Sequence, residues 1–289
     1  MKITARIARR AILCAALLSA APALAQQEVA PAANNGVIIA TEGEIAPQTD
    51  ADPALWVMRD ADTTIYLFGT VHVLRPGLRW FDEAVQTAFN ASDELKIEVI
   101  LPESQAEMMP MVMRLATYPA GTTLSSRLTP AQNSQLSTGM ARIGLPRAQL
   151  EHFEPWFVST AATMVLAGRA GFQPGAGAEA TLTAEARRMN KPITALETVQ
   201  EQLGYMDSTP ESEQISGLLK TLSDPAAASA AFSQLVDSWA TGNPDATGAL
   251  MNEGLRETPE TARILLTDRN RRWATALQAR MAQPGTIFV

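Results

Sequence analysis

Alternating apolar and polar positions first appear in a regular form near residue 55. Leu55 to Met58 and Thr64 to Phe68 are aromatic and β-branched runs joined by Arg59-Asp60-Ala61-Asp62, a turn-type cluster, and the pattern predicts a β-hairpin. A helix is expected from Trp80, because Trp80, Ala84, Ala88 and Phe89 share one face. Leu95 to Ile100 alternates over half its length and reads as a strand that sets Glu98 among apolar neighbours. Four helices are then expected, over 106–115, 130–143, 155–170 and 179–189, with Gly and Pro at the breaks. Lys191 to Glu197 reads as another short strand. From Glu201 to Arg280 the period is helical again, with Phe232, Leu235, Val236 and Trp239 on one face and Trp273, Leu277 and Met281 on another. A last strand begins at Thr286. Strands separated by helices indicate an α/β fold, here a central mixed sheet with an N-terminal hairpin, flanking helices and a helical insertion or cap between Glu103 and Ala170.

The first 25 residues change the picture of where the protein works. Lys2, Arg6, Arg9 and Arg10 precede the apolar run Ala11 to Leu18, and Ala23-Leu24-Ala25 follows, the layout of a secretory signal cleaved before Gln26. The apolar run falls well short of the ~20 residues a spanning helix needs. A periplasmic or secreted protein with no membrane span after cleavage is therefore expected. Residues 26–52 are rich in Ala, Pro, Asn and Glu without a period and read as a disordered leader, and the folded domain is expected over 53–289. Cleavage removes Cys14, the only cysteine, so neither a disulfide nor a cysteine nucleophile is available. The formal net charge of −7 becomes more negative once the basic leader is lost, which argues against nucleic acid as a partner.

Candidate chemistry centres on Gly69-Thr70-Val71-His72, where a glycine at a strand end lets the chain turn and an imidazole face the sheet edge. Glu98 belongs on a neighbouring strand, so a β-α-β connection could bring its carboxylate beside His72. One neutral nitrogen and one hard oxygen suit Zn²⁺ or Mn²⁺, which could activate a water; the alternative is a buried ion pair of Glu98 with an arginine. Glu197 could point into the same cleft or cap the following helix with Thr198, and capping is the simpler reading. Arg269-Asn270 opens a basic run in which a fixed guanidinium could bind a carboxylate or steady an oxyanion. His152 lies at a helix boundary and reads as structural. There is no Gly-x-Ser-x-Gly elbow, His-Glu-x-x-His, P-loop or Cys pair, and Gly175-Ala176-Gly177-Ala178-Glu179 lacks a preceding strand and reads as a turn entering a helix.

Taken together, Leu55-Trp56, Tyr66 to His72, Trp80, Glu98, Pro155-Trp156, Ala170-Gly171-Phe172, Asn190 to Leu203, Arg269-Asn270 and Pro284 to Val289 resemble the TraB/GumN family, which includes the Tiki-type proteases. The resemblance runs from about Leu55 to the last residue. It implies an α/β fold related to erythromycin-esterase-like and haem-uptake ChaN-like domains, and a divalent-metal hydrolase (Mn, Zn or Co) acting on a peptide or small molecule. On its terms His72 and Glu98 hold the metal, Glu98 and Arg269 are catalytic, and Asn270, Glu197 and Glu179 lie on the substrate side. Glu179 stands where relatives commonly carry an aspartate. The resemblance also implies a second Gly-x-x-His after the strand beginning at Thr286, and this sequence, ending at Val289, is expected to be a C-terminally truncated record.

Two functions follow from this reading. One is a secreted metal-dependent hydrolase of peptidase type. The other is a non-catalytic periplasmic binding or regulatory domain that keeps the fold without the second histidine. If the strand beginning at Thr286 is central and unfinished, a marginally stable or dimeric protein is expected, since its neighbours lose ladder bonds worth about 1 kcal/mol each.

Overall fold

A computed structural model describes residues 48–289 apart from Glu103. The expected signal and most of the expected leader lie outside the described residues. The end of that leader is nevertheless part of the fold: Thr49–Asp50 (β1) is a strand, ahead of the expected start at Pro53. The hairpin follows as Leu55–Arg59 (β2) and Thr63–Phe68 (β3), with Asp60 Oδ1 accepting from the Thr63 amide at 2.9 Å to close the turn. β1 is held by the short parallel partner Leu78–Arg79 (β4), a pairing that no periodicity announced. Glu94–Val99 (β5), Ile193–Glu197 (β6) and Gly285–Phe288 (β7) complete the sheet.

The main sheet has the order β2-β3-β7-β5-β6. β2 runs antiparallel to β3, and the other ladders are parallel, so the expected mixed sheet is what forms. The last strand in sequence lies in the middle, paired to β3 from Thr63↔Gly285 to Tyr66↔Phe288 and to β5 at Glu94↔Ile287 and Leu95↔Phe288. Ile287 and Phe288 are fully buried there. One face of the sheet packs Ile65, Leu67 and Ile287 against Leu277 of the helix Arg269–Arg280. The other face packs Phe68, Leu95 and Phe288 against Phe89 of helix Glu83–Ala91, Leu182 of helix Ala178–Arg188 and Trp239 of helix Pro225–Ala240. Period-two alternation in the strands thus divides the apolar side chains between two helical layers.

The helices begin and end where local chemistry directs. Thr129 with Gln132, and Thr198 with Glu201, form capping boxes that satisfy free amides of the first turn. Asn190, at φ 54°, takes the left-handed position that closes helix Ala178–Arg188 before β6. The helix expected from Trp80 starts instead at Glu83, because Asp82 keeps the N-cap position extended. Trp80 is still buried, stacked on Phe68 at 5.4 Å between ring centroids.

A separate apolar cluster holds the helical cap. Helices Gln105–Ala116, Pro130–Arg142 and Pro155–Arg169 are joined in it by Val199–Asp207 and Glu211–Ser223, so the cap takes in more of the chain than the expected 103–170. Leu136, Met140, Phe153, Phe157, Leu203 and Leu222 are among its buried residues. Gly139 sits where helix Pro130–Arg142 crosses Glu211–Ser223, and a Cβ there would lie 2.6 Å from that of Leu222. Among the described residues no helix is long and apolar enough to cross a membrane.

Three carboxyls meet at the joint of the cap helices. Burial, with the neighbouring Asp207 and Glu211 carboxyls adding to it, pushes the Glu154 carboxyl up to about 7. Tyr118 and Arg127 hydrogen-bond Glu211 and tie it to the cap surface. A carboxyl whose pKa is higher folded than unfolded stabilises the fold below its unfolded value of about 4.5 and loses that contribution as pH rises through about 7. The urea midpoint of the native protein is therefore expected to fall between pH 4.5 and pH 7 more steeply than that of Glu154→Gln. Parallel pH profiles for the two proteins would refute the assignment.

Candidate active site

Glu98, Glu197 and the turn to His72 lie at the carboxyl ends of β5, β6 and β3, the edge at which α/β folds place their sites. Leaving β3, the chain turns through Gly69 to His72, and the turn is pinned where Trp239 Nε1 donates to the Gly69 carbonyl at 2.6 Å. A second loop lies directly on it. A Cβ at Gly177 would come within 2.0 Å of the His72 carbonyl oxygen, and the Ala178 amide donates to the Val71 carbonyl at 2.9 Å. Only a residue without a side chain allows this approach. The Gly175–Glu179 segment, a turn entering helix Ala178–Arg188 as expected, thereby brings Glu179 to the histidine.

Glu179 Oε1 lies 2.8 Å from His72 Nδ1 and also accepts from the Thr70 hydroxyl. Burial alone would lower the His72 pKa, but the Glu179 carboxylate overrides it and the imidazole is pushed up to about 9. The same contact holds Glu179 below the usual carboxylate range against its own burial. His72 Nε2 and Glu179 Oε2 are buried and have no hydrogen-bond partner among the described residues.

Glu98, Glu197 and Arg269 form the second half of the site. Arg269 follows a π-helical turn, Arg263–Asp268, and is only 2 % exposed. Its Nη2 bonds both Glu98 Oε1 and Glu197 Oε1, its Nε donates to Glu197 Oε2 at 3.2 Å, and its Nη1 donates to the Leu265 carbonyl. The guanidinium lies 4.7 Å from the Trp273 ring and 5.6 Å from that of Tyr205, within cation–π range. Trp273 Nε1 donates to Glu197 Oε2 and Gln202 Nε2 donates to Glu98 Oε1. Burial pushes Glu197 above its ordinary range even with Arg269 beside it, as expected where two buried carboxylates share one cation. Glu98 Oε2, like His72 Nε2, is buried without a partner.

A cleft opens between the two halves, lined by Thr70, Glu98 and Glu179 among apolar walls that include Phe68, Ile97 and Trp273. His72 stands behind Glu179 and is not itself part of the lining. The structure thus gathers His72, Glu98, Glu179, Glu197 and Arg269. The ion pair weighed as an alternative for Glu98 is present and engages only one of its oxygens. Glu197 is no cap: Thr198 and Glu201 perform that task, and Glu197 is tied inward to Arg269 and Trp273 rather than lining the cleft. Asn270 is half-buried and also lies outside the lining. His152 is exposed in the cap, its carbonyl accepting from the Tyr118 amide. Gln202, Trp273, Thr70 and Gly177 enter the sequence reading only as members of longer runs, without a role in the site. The long-range contacts that give them roles leave no periodicity, although Gln202, four residues after a capping Thr198, is the one with a local cue.

A mixed α/β sheet whose carboxyl edge carries a carboxylate–histidine pair beside two carboxylates clamped by one buried arginine defines the class to which this protein belongs. The chain matches the TraB/PrgY/gumN family model over residues 54–289 and is a member of that family. No curated protein and no solved structure matches it. The clamp makes a direct expectation for stability: Arg269→Met leaves two buried carboxylates without their counter-charge and should destabilise the protein by about 3–5 kcal/mol in urea unfolding. A loss below about 1 kcal/mol would show that the cluster is not held by the arginine.

Proposed function

We propose that the protein is a secreted metal-dependent hydrolase of peptidase type, with His72 and Glu98 at the metal. The observation that carries this reading is a pair of buried atoms without partners, His72 Nε2 and Glu98 Oε2, each with its sister atom tied down. Glu179 holds Nδ1, while Arg269 and Gln202 hold Oε1. A histidine whose Nδ1–H is taken by a carboxylate presents Nε2 as its ligand atom, and such a carboxylate partner is the usual companion of a metal-binding imidazole. One imidazole nitrogen and a carboxylate oxygen are donors suited to Zn²⁺, Mn²⁺ or Co²⁺. Among the described residues no group of three His, Cys, Asp or Glu side chains is arranged to hold an ion, so beside His72 and Glu98 the remaining ligands would be water or substrate atoms.

When bound, the metal would supply Lewis acidity that brings a water to hydroxide near neutral pH. The remaining work falls to the chain. Glu179 fixes the imidazole plane and, lining the cleft with Oε2 unpartnered, is the acceptor placed for a proton from water or from the substrate. Arg269 balances the charge of the carboxylate pair, and the cleft sets Lys96, Glu98 and Glu179 among apolar walls. Similarity to Tiki-type proteases favours a peptide substrate. The basic and apolar leader supports work in the periplasm or outside the cell.

A second reading, a non-catalytic binding or regulatory domain, is favoured by the buried ion pair with Arg269 that already engages one oxygen of Glu98. Cleavage of a peptide mixture in the presence of Mn²⁺, Zn²⁺ or Co²⁺ separates the two. His72→Ala is expected to lower the rate by more than about 100-fold, since even outer partners of metal ligands cost 10–100-fold. Full hydrolysis by metal-stripped His72→Ala would sink the metal hydrolase. A folded native protein that neither cleaves peptides nor takes up metal would establish the binding domain.

A further inference from the structure

We propose that Gln202 and Glu197 are positioning residues that keep Glu98 working through one oxygen. This rests on the reading of Glu98 as the carboxylate of the site. Left to itself, a guanidinium takes a carboxylate through two parallel N–H···O bonds. Arg269 does so with Glu197, through Nε to Oε2 and Nη2 to Oε1, and Trp273 Nε1 steadies that carboxylate from the other side. The fork is therefore occupied, and Glu98 receives only a single contact from Nη2. Gln202 adds its amide hydrogen to the same Oε1. Both donors fall on one oxygen of Glu98, and the other, Oε2, is left buried beside the cleft with nothing donating to it.

That asymmetry has a chemical meaning. A carboxylate has about four lone-pair sites, and burying an oxygen without a donor costs free energy unless a ligand meets it. Glu98 is 8 % exposed, so bulk water does not supply the missing partner freely. Gln202 is itself 3 % exposed and lies in the first turns of helix Val199–Asp207, whose start is fixed by the Thr198–Glu201 capping box directly after β6. The amide thus reaches Glu98 from a rigid element. Glu197 keeps the fork from closing on Glu98, and Gln202 keeps the carboxylate from rotating into it.

The primary test is the crystal structure of Gln202→Met, which keeps the side-chain length and removes the donor. The Glu98 carboxylate, no longer held at Oε1 by the amide, is expected to rotate away from its present orientation. A Glu98 carboxylate left where it stands would overturn the proposal, whatever the protein binds. Gln202→Asn, which keeps an amide on a shorter arm, serves if Gln202→Met does not fold, and the same rotation is expected. Co²⁺ binding, measured by calorimetry with the metal alone, gives the functional readout: Gln202→Met and Glu197→Gln should weaken Co²⁺ about 10–100-fold, as for partners of metal ligands. Unchanged Co²⁺ affinity in both variants, with binding abolished by Glu98→Gln, would reject the positioning roles and leave the hydrolase reading intact. Co²⁺ affinity indifferent to Glu98→Gln would reject the hydrolase reading, with the crystal structure still deciding the orientation of Glu98.

Discussion

One buried guanidinium fixes the arrangement of this protein's polar centre. Glu98 is the last residue but one of β5 and Glu197 ends β6, adjacent parallel strands whose register runs from Leu95↔Ile193 to Val99↔Glu197. Two carboxylates buried at neighbouring strand ends repel each other and lose their hydration, a cost of several kcal/mol per ion. Arg269 makes that tolerable by contacting both, and its own burial is compensated by four hydrogen-bonding contacts and two aromatic rings. The helix Arg269–Arg280 must therefore lie across this end of the sheet. Its Leu277 then packs the face formed by Ile65, Leu67 and Ile287, so the electrostatic and apolar requirements place the same helix in the same position.

The His72 half of the site depends on a different constraint, the close contact of two loops at Gly177. Without a side chain there, helix Ala178–Arg188 begins near enough for Glu179 to take the imidazole Nδ1. A single conformational requirement thus determines which nitrogen of His72 is tied and which is left. The same pattern recurs in Glu98, where one oxygen carries all the donors. His72, Glu98 and Glu179 each have one atom anchored and one that is buried and unpaired among the described residues.

The sequence was most legible where structure is local. Turn chemistry at Arg59 to Asp62 and the Pro, Gly and Thr punctuation of the helices put most element ends within a few residues, because caps and breakers act over one turn. Trp80 misled because its burial comes from stacking on Phe68, not from a helix of its own. β1 escaped notice because two residues paired with Leu78–Arg79 carry no period. His72 and Glu98 could be found because a histidine after Gly69 and a carboxylate inside an apolar strand are both out of place locally. The partners that give them direction come from far along the chain, Glu179 to His72 and Gln202 and Arg269 to Glu98. Nothing in the spacing of Gln202 or Trp273 says which strand end they will meet, and Glu197 looked like a cap because its neighbour Thr198 is one.

The central claim is that His72 Nε2 and Glu98 Oε2 are unpaired because they serve a divalent metal. X-ray absorption fine structure at the zinc edge, on the protein loaded with one equivalent of Zn²⁺, tests it most directly. The expected shell contains one imidazole nitrogen at about 2.0–2.1 Å with oxygen donors and no sulfur, and its imidazole scattering disappears in His72→Ala. An oxygen-only shell, or imidazole scattering that survives His72→Ala, would contradict the account.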